Sequence, residues 1–163
     1  MGRGFAEIRN LSTTKDEWLT PEHIIRALGP FDLDPSAPVV RPWPTATKHY
    51  SIEDDGLSQP WDGCVWLNPP YSRSQIKEWI NRMVAHNNGI ALLAARTDTA
   101  IWQKLIFPTA TAISFLEGRI RFCHVNGTPA QGSFTSPLVL IAWGKDNAAK
   151  LKRVKGSIMT LAK

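Results

Sequence analysis

Cysteine, tyrosine and methionine are scarce in this chain, at two, two and three of 163 residues. Two cysteines, Cys64 and Cys123, make no disulfide framework, and both are read as reduced core residues. The histidines His23, His49, His86 and His124 are scattered. Cys123 and His124 are adjacent but have no partner pair at zinc-ligand spacing, so no metal is expected. Gly-x-Gly-x-x-Gly is missing, which excludes the dinucleotide fingerprint. No apolar run approaches the length of a membrane span. The opening residues Met1-Gly2-Arg3-Gly4-Phe5 lack the apolar stretch of a signal peptide. A cytoplasmic protein with no membrane partner is expected.

The chain is long enough for one domain with a real core. Its net charge of +5 favours a polyanionic partner without requiring one. Seven tryptophans is a high count; most are expected in the core, with one or two at a cleft available to stack on a ring. Three segments are expected: a loose arm at 1–14, a compact domain at 15–145 and a basic tail at 146–163. The tail carries Lys150, Lys152, Arg153, Lys155 and Lys163, read by default as a solvated face.

Thr20 suits a helix N-cap and Pro21 the first helical position. Ile24, Ile25, Ala27 and Leu28 form an apolar face, and Gly29-Pro30 stops the helix. Phe31-Asp32-Leu33-Asp34 alternates like a short strand tipped by Asp34-Pro35-Ser36. Asp34 is either a cofactor-holding carboxylate or a turn former. Residues 37–50 hold Pro38, Pro42 and Pro44 and are expected to be loop. Asp54 and Asp55 lie in an acidic turn. Ile76, Trp79, Ile80, Met83 and Val84 recur at helical spacing, and Asn87-Asn88-Gly89 ends that helix, which Ser72 can cap. Ile90 to Ala95 is a buried strand tipped by Arg96-Thr97-Asp98. The strand–helix–strand order makes a parallel crossover and puts Asn68 and Arg96 at one sheet edge. A short helix follows at 100–107. Strands around Ile113 and Leu140, joined without a helix, are expected to pair antiparallel.

One stretch carries chemistry. Val65, Trp66 and Leu67 form a buried strand that halts at Asn68-Pro69-Pro70-Tyr71. The exocyclic amine of a nucleobase is a poor nucleophile because its lone pair is delocalised into the ring. Two acceptors on its hydrogens draw the nitrogen towards a tetrahedral shape and localise that pair. Asn68 supplies a side-chain carbonyl and Pro69 a backbone carbonyl. The prolines stiffen the backbone, and Tyr71 offers a face for stacking. With a methylsulfonium as electrophile, neither a metal nor a strong base is needed.

Together with Asp16 to Pro21, Leu33-Asp34-Pro35, Asp54 to Leu57, Arg96 to Thr99 and Glu117 to Phe122, this motif resembles the phage-type DNA N6-adenine methyltransferases. That resemblance implies an α/β fold: a single Rossmann-like methyltransferase domain with a mostly parallel twisted sheet, helices on both faces and an antiparallel strand near the C-terminal end. The first and fourth strands of that fold are adjacent, with a ligand crevice at their tips. S-adenosylmethionine is the implied cofactor and double-stranded DNA the implied partner. Asn68, Pro69, Pro70 and Tyr71 match the catalytic motif. Thr20, Pro21, Asp34, Pro35 and Ser36 match cofactor-binding positions, as does Asp54 or Asp55. Arg96, Thr97, Asp98 and Arg119 match substrate-side positions, with the arginines expected on DNA phosphates.

The sequence departs from the family at Ser36-Ala37-Pro38, where a Gly-rich turn is usual. This change leaves a weaker cofactor site or a contact of Ser36's own. With no separate recognition domain in view, target reading falls to residues 37–50 and 123–134, and short specificity is expected. Two alternatives remain. One is transfer to another amine: cytosine N4, RNA guanine N2 or a glutamine amide. The other is a non-catalytic DNA-binding protein retaining the fold. Oligomeric state and recognition sequence stay open.

Overall fold

Three consecutive buried side chains make β3 (Val65–Leu67), an interior strand covered on both faces. The computed structural model describes residues 18–71, 75–132 and 135–162. The expected arm at 1–14, the Ser72 cap and the end of the loop at Phe134 lie outside the described residues.

In chain order the elements before β3 are α1 (Glu22–Leu28), β1 (Leu33–Asp34) and β2 (Lys48–His49). After it come α2 (Ile76–His86), β4 (Gly89–Ala94) and a π-helical stretch (Trp102–Ile106) that runs into α3 (Phe107–Thr109). The chain continues with β5 (Ala112–Leu116), β6 (Leu138–Trp143), α4 (Lys145–Lys150), a 3-10 turn (Leu151–Arg153) and β7 (Gly156–Thr160). These strands form one seven-stranded sheet in the order β2-β1-β3-β4-β6-β5-β7. β1 pairs in parallel with β2 and β3, and β3 in parallel with β4. β6 is antiparallel to both β4 and β5, and β7 is antiparallel to β5. Five strands therefore run one way, and β6 and β7 the other.

The two-residue period of the strands separates two cores. Val65, Leu67, Ala91, Leu93, Val139 and Ile141 face Trp79, Ile80 and Met83 of α2 and Trp102 and Ile106 of the π-helical stretch. Trp66, Ile90, Leu92, Leu140 and Ala142 face Ile24, Ile25 and Leu28 of α1, with Leu151 beyond. Helices thus cover both faces, and each fully buried large side chain contributes about 1.5–3 kcal/mol. α2 stops where the asparagine pair predicts: Asn87 turns left-handed at φ 55° and its N–H returns to the Met83 carbonyl.

Four expectations need correcting. Thr20 does not cap α1: the Pro21 carbonyl accepts the N–H groups of Ile24 and Ile25, and Thr20 is buried beside a bridge between Leu19 and Cys123. Residues 37–50 are not all loop, because β1 recruits Lys48 and His49 as a parallel edge strand, with Tyr50 N–H on the Asp34 carbonyl. The expected helix at 100–107 is wound for most of its length as a π-helix. The segment set apart as a basic tail supplies α4 and β7, and β7 extends the sheet by pairing along all of β5.

Candidate active site

β1 has β2 on one side and β3 on the other, so chain order reverses at β1, and the crevice lies beyond the strand tips there. A cavity of about 350 Å³ opens at that point. Pro35 and Ser36 from the tip of β1, Asn68 and Pro70 from the tip of β3, and Asp55, Gly56 and Leu57 from the intervening turn line it. Trp18 and Trp79 add two indoles to the wall.

The two tips are tied together. Ser36 Oγ donates to the Asn68 backbone carbonyl at 3.1 Å. The Asn68 side-chain amide donates to the Trp18 carbonyl at 3.0 Å. The single proton of the Tyr71 hydroxyl is shared between the Leu92 carbonyl at 2.9 Å and, more weakly, Asn68 Oδ1 at 3.3 Å. The Asn68 amide is therefore held from both ends, with its carbonyl oxygen left one further lone pair. Burial pushes the Tyr71 phenol well above its ordinary range, so Tyr71 stays a neutral donor. Trp18 is itself fixed: Leu19 N–H donates to the Cys123 carbonyl at 2.9 Å, Cys123 N–H returns to Leu19 at 2.8 Å, and the Trp18 ring rests on His124.

Asp34 is buried and is not among the residues that line the cavity. One of its oxygens accepts the Thr45 hydroxyl and the other the Ser36 N–H at 3.1 Å. Burial lifts its pKa to about 6, against the lowering pull of those two bonds. Asp34 thus holds the Ser36 turn and the 45–47 loop in place. His49 braces the same loop, its Nε2 accepting the N–H groups of Thr45 and Ala46 at 3.1 and 3.2 Å. Burial lowers the His49 pKa to about 4, which keeps the ring neutral and Nε2 an acceptor.

The geometry separates the two turn carboxylates. Asp54 accepts the Ser51 N–H and hydroxyl at 2.8 and 3.0 Å, which holds its pKa below the usual carboxylate value. Asp55 lines the cavity in a left-handed conformation (φ 52°), and its carboxylate has no hydrogen-bond partner among the described residues. Gly56 lies so close to β1 that an added Cβ would collide with the Pro35 carbonyl, so only glycine lets the turn approach.

The remaining expected residues fall elsewhere. Tyr71 and Arg96 line a second cavity of about 350 Å³, with Leu93, Ile101 and Trp102 as apolar walls. Thr97 and Asp98 form the turn beyond β4, where Gln103 holds the Thr97 carbonyl. Pro21 and Arg119 line a third cavity, and Arg119 donates to the Thr135 carbonyl at 2.9 Å. Thr20 is buried with its hydroxyl unpartnered among the described residues. Pro69 is buried behind Asn68. Sequence reasoning passed over Trp18 and Trp79 as site residues. Trp79 falls on the apolar face of α2, and only its unpartnered indole N–H beside the cavity marks it out.

Comparison with known proteins adds the context for this geometry. A family model described as DNA N-6-adenine-methyltransferase (Dam) matches residues 8–158. Over 124 residues the chain is 33% identical to a DNA N-6-adenine-methyltransferase of Escherichia phage T1. The matched region is 71% of this chain and 51% of that protein, so the chain spans about half the length of its relative.

Proposed function

The chain belongs to the DNA N-6-adenine-methyltransferase family, and from this premise we propose that it transfers a methyl group from S-adenosylmethionine to the N6 amine of adenine in DNA. The observation that carries this reading is the Asn68 amide, oriented by the Trp18 carbonyl on the wall of a cavity at the β1–β3 crevice. The sheet order and the helices on both faces support the finer assignment of a Rossmann-like methyltransferase fold.

The cavity suits the cofactor on its own chemistry. Two indoles offer apolar, flat walls for a purine and an alkyl chain. Asp55 is a free carboxylate for ribose hydroxyls, and Ser36 answers the missing Gly-rich turn with a hydroxyl that ties the wall together. When bound, that group would supply a methyl carbon on a sulfonium for the amine's lone pair, with the sulfide as leaving group and the surplus amine proton released to water afterwards. Asn68 Oδ1 and the Pro69 carbonyl hold the two amine hydrogens and stabilise the positive charge growing on nitrogen. Tyr71 carries the flipped base, with the second cavity beside it as the space the base enters. Thr97 and Asp98 shape the rim next to Arg96, which takes a DNA phosphate together with Arg119. Thr20, Pro21 and Asp34 position the site's neighbours.

The test is methylation of duplex DNA with methyl-labelled cofactor, followed by mass spectrometry of the digested nucleosides. Label on adenine N6 in the wild type and its loss in Asn68→Ala are expected. Label on cytosine N4, or none in DNA despite cofactor binding, would overturn the proposal.

A further inference from the structure

A third cavity, about 450 Å³, has no part in the crevice at Asn68. It lies between α1 and the segments that flank β5 and β7. Arg119, Arg121, Arg153 and Lys155 line it, against the single carboxylate of Glu117. Four cations against one acid concentrate in one groove much of a chain charge of only +5. Glu117 pairs with Lys155 at 2.6 Å, which cancels one of the four. Arg153 rests on the Ala27 and Gly29 carbonyls at 3.4 Å each, so it is braced in place while staying exposed. Arg121 is exposed and lies outside every helix and strand.

We propose that this groove grips the phosphate backbone of the nucleic acid whose base reaches Asn68. The placement follows from the sheet. Leu116 pairs with Gly156, and Ala94 with Leu138, so the groove borders the same sheet edge as the tips of β3 and β4. From β3 to β5 there are three strand spacings, about 14 Å. A DNA strand carries one phosphate per 3.4 Å of axis, so the groove meets the backbone about four base pairs from the target base. Arginine suits this task, since its planar fork binds phosphate oxygens in pairs. The groove thereby anchors the duplex, and it reads no sequence. This inference rests on the reaction proposed above only for the direction in which the DNA runs.

The test is duplex binding over a range of salt concentrations, without cofactor, for wild type, Arg121→Ala and Arg121→Ala/Arg153→Ala. Each lost phosphate contact makes the plot of log affinity against log salt shallower by about 0.9. The double variant should therefore flatten the slope by about 2, and Arg121→Lys/Arg153→Lys should restore it. Arg121→Ala alone, at an exposed position, should flatten it by about 1 with an unchanged melting temperature. Cofactor affinity should not move in any of them. Unchanged slopes in both alanine variants, or a wild type that binds no duplex, would overturn the groove. A wild type that binds with these slopes yet transfers no methyl group would leave the groove standing and remove the reaction instead.

Discussion

Ser36 donates its hydroxyl to the Asn68 carbonyl, which joins the turn after β1 to the residue after β3 across the crevice. Where the family resemblance implies a Gly-rich turn, this chain carries a cross-strand tie. Ser36→Ala should lower unfolding free energy by about 1 kcal/mol, the usual worth of such a bond. It should also slow methyl transfer several-fold, because Asn68 is then held from one end fewer. Urea denaturation and single-turnover rates check both.

Asn68→Ala removes the side-chain acceptor and the bond to Trp18 together. Loss of one preorganised acceptor of developing charge costs roughly 100–1,000-fold in rate. Cofactor affinity by calorimetry should fall far less than the rate. A variant whose rate and affinity fall in step would show that Asn68 serves binding alone.

Asp55→Asn and Asp54→Asn should separate cleanly. Asp55 lines the cavity, and a hydrogen bond to a charged group is worth about 1.5–3 kcal/mol, so cofactor affinity should drop roughly 10- to 100-fold. Asp54 is turned back on Ser51, and its amide variant should bind cofactor nearly as the wild type does. Equal losses in the two would refute the assignment of Asp55.

Gly56→Ala puts a methyl group against the Pro35 backbone. Neither partner is a flexible side-chain end, so the turn must retreat from β1. Overpacking of this kind costs about 1–3 kcal/mol. Cofactor affinity should fall with the melting temperature, since the displaced turn carries Asp55.

Asp34 and His49 give opposite pH slopes. Burial raises Asp34 from 3.8 to about 6, so in that window the folded chain keeps a proton that the unfolded chain has lost. Its contribution to stability therefore falls as pH rises through the window. Burial lowers His49 from 6.5 to about 4, so there the unfolded chain binds the extra proton, and this contribution rises with pH. In the wild type the two oppose each other. Asp34→Asn removes the falling slope, so its denaturation midpoint should climb more steeply from about pH 4 to 6 than that of the wild type. Parallel midpoint curves would count against the buried Asp34 carboxyl.

Much of the crevice was legible because its parts are local. Asn68-Pro69-Pro70-Tyr71 ends an apolar run, and that alone marks a strand tip. The crossover from β3 through α2 to β4 follows from a switch of period, and its two-sided burial from continuous apolar strands. What stayed hidden depends on distant partners. Lys48 and His49 carry no strand pattern and become β2 only because β1 offers a free edge. β7 reads as a charged tail with a short apolar stretch, yet β5 pairs with all of it. The choice between Asp54 and Asp55 turns on Ser51, three residues before one of them, and on the reach of a cavity. Trp18 enters the site because its neighbour Leu19 is bridged to Cys123, more than a hundred residues away.

β6 occupies the place between β4 and β5, although it is synthesised after both. A nascent chain that has emerged only as far as Leu116 has no proper neighbour for β5. If β5 docked on β4 at that stage, it would fill a slot it must later leave. The half-sheet β2-β1-β3-β4, with the crevice at its tips, contains only strands already made by then. Every strand it pairs precedes Leu138 in the chain. The other half must wait for β6 to arrive and be wedged in. The half of the sheet that carries the crevice can therefore pair as the chain is made, whereas the half that carries the basic groove waits for β6.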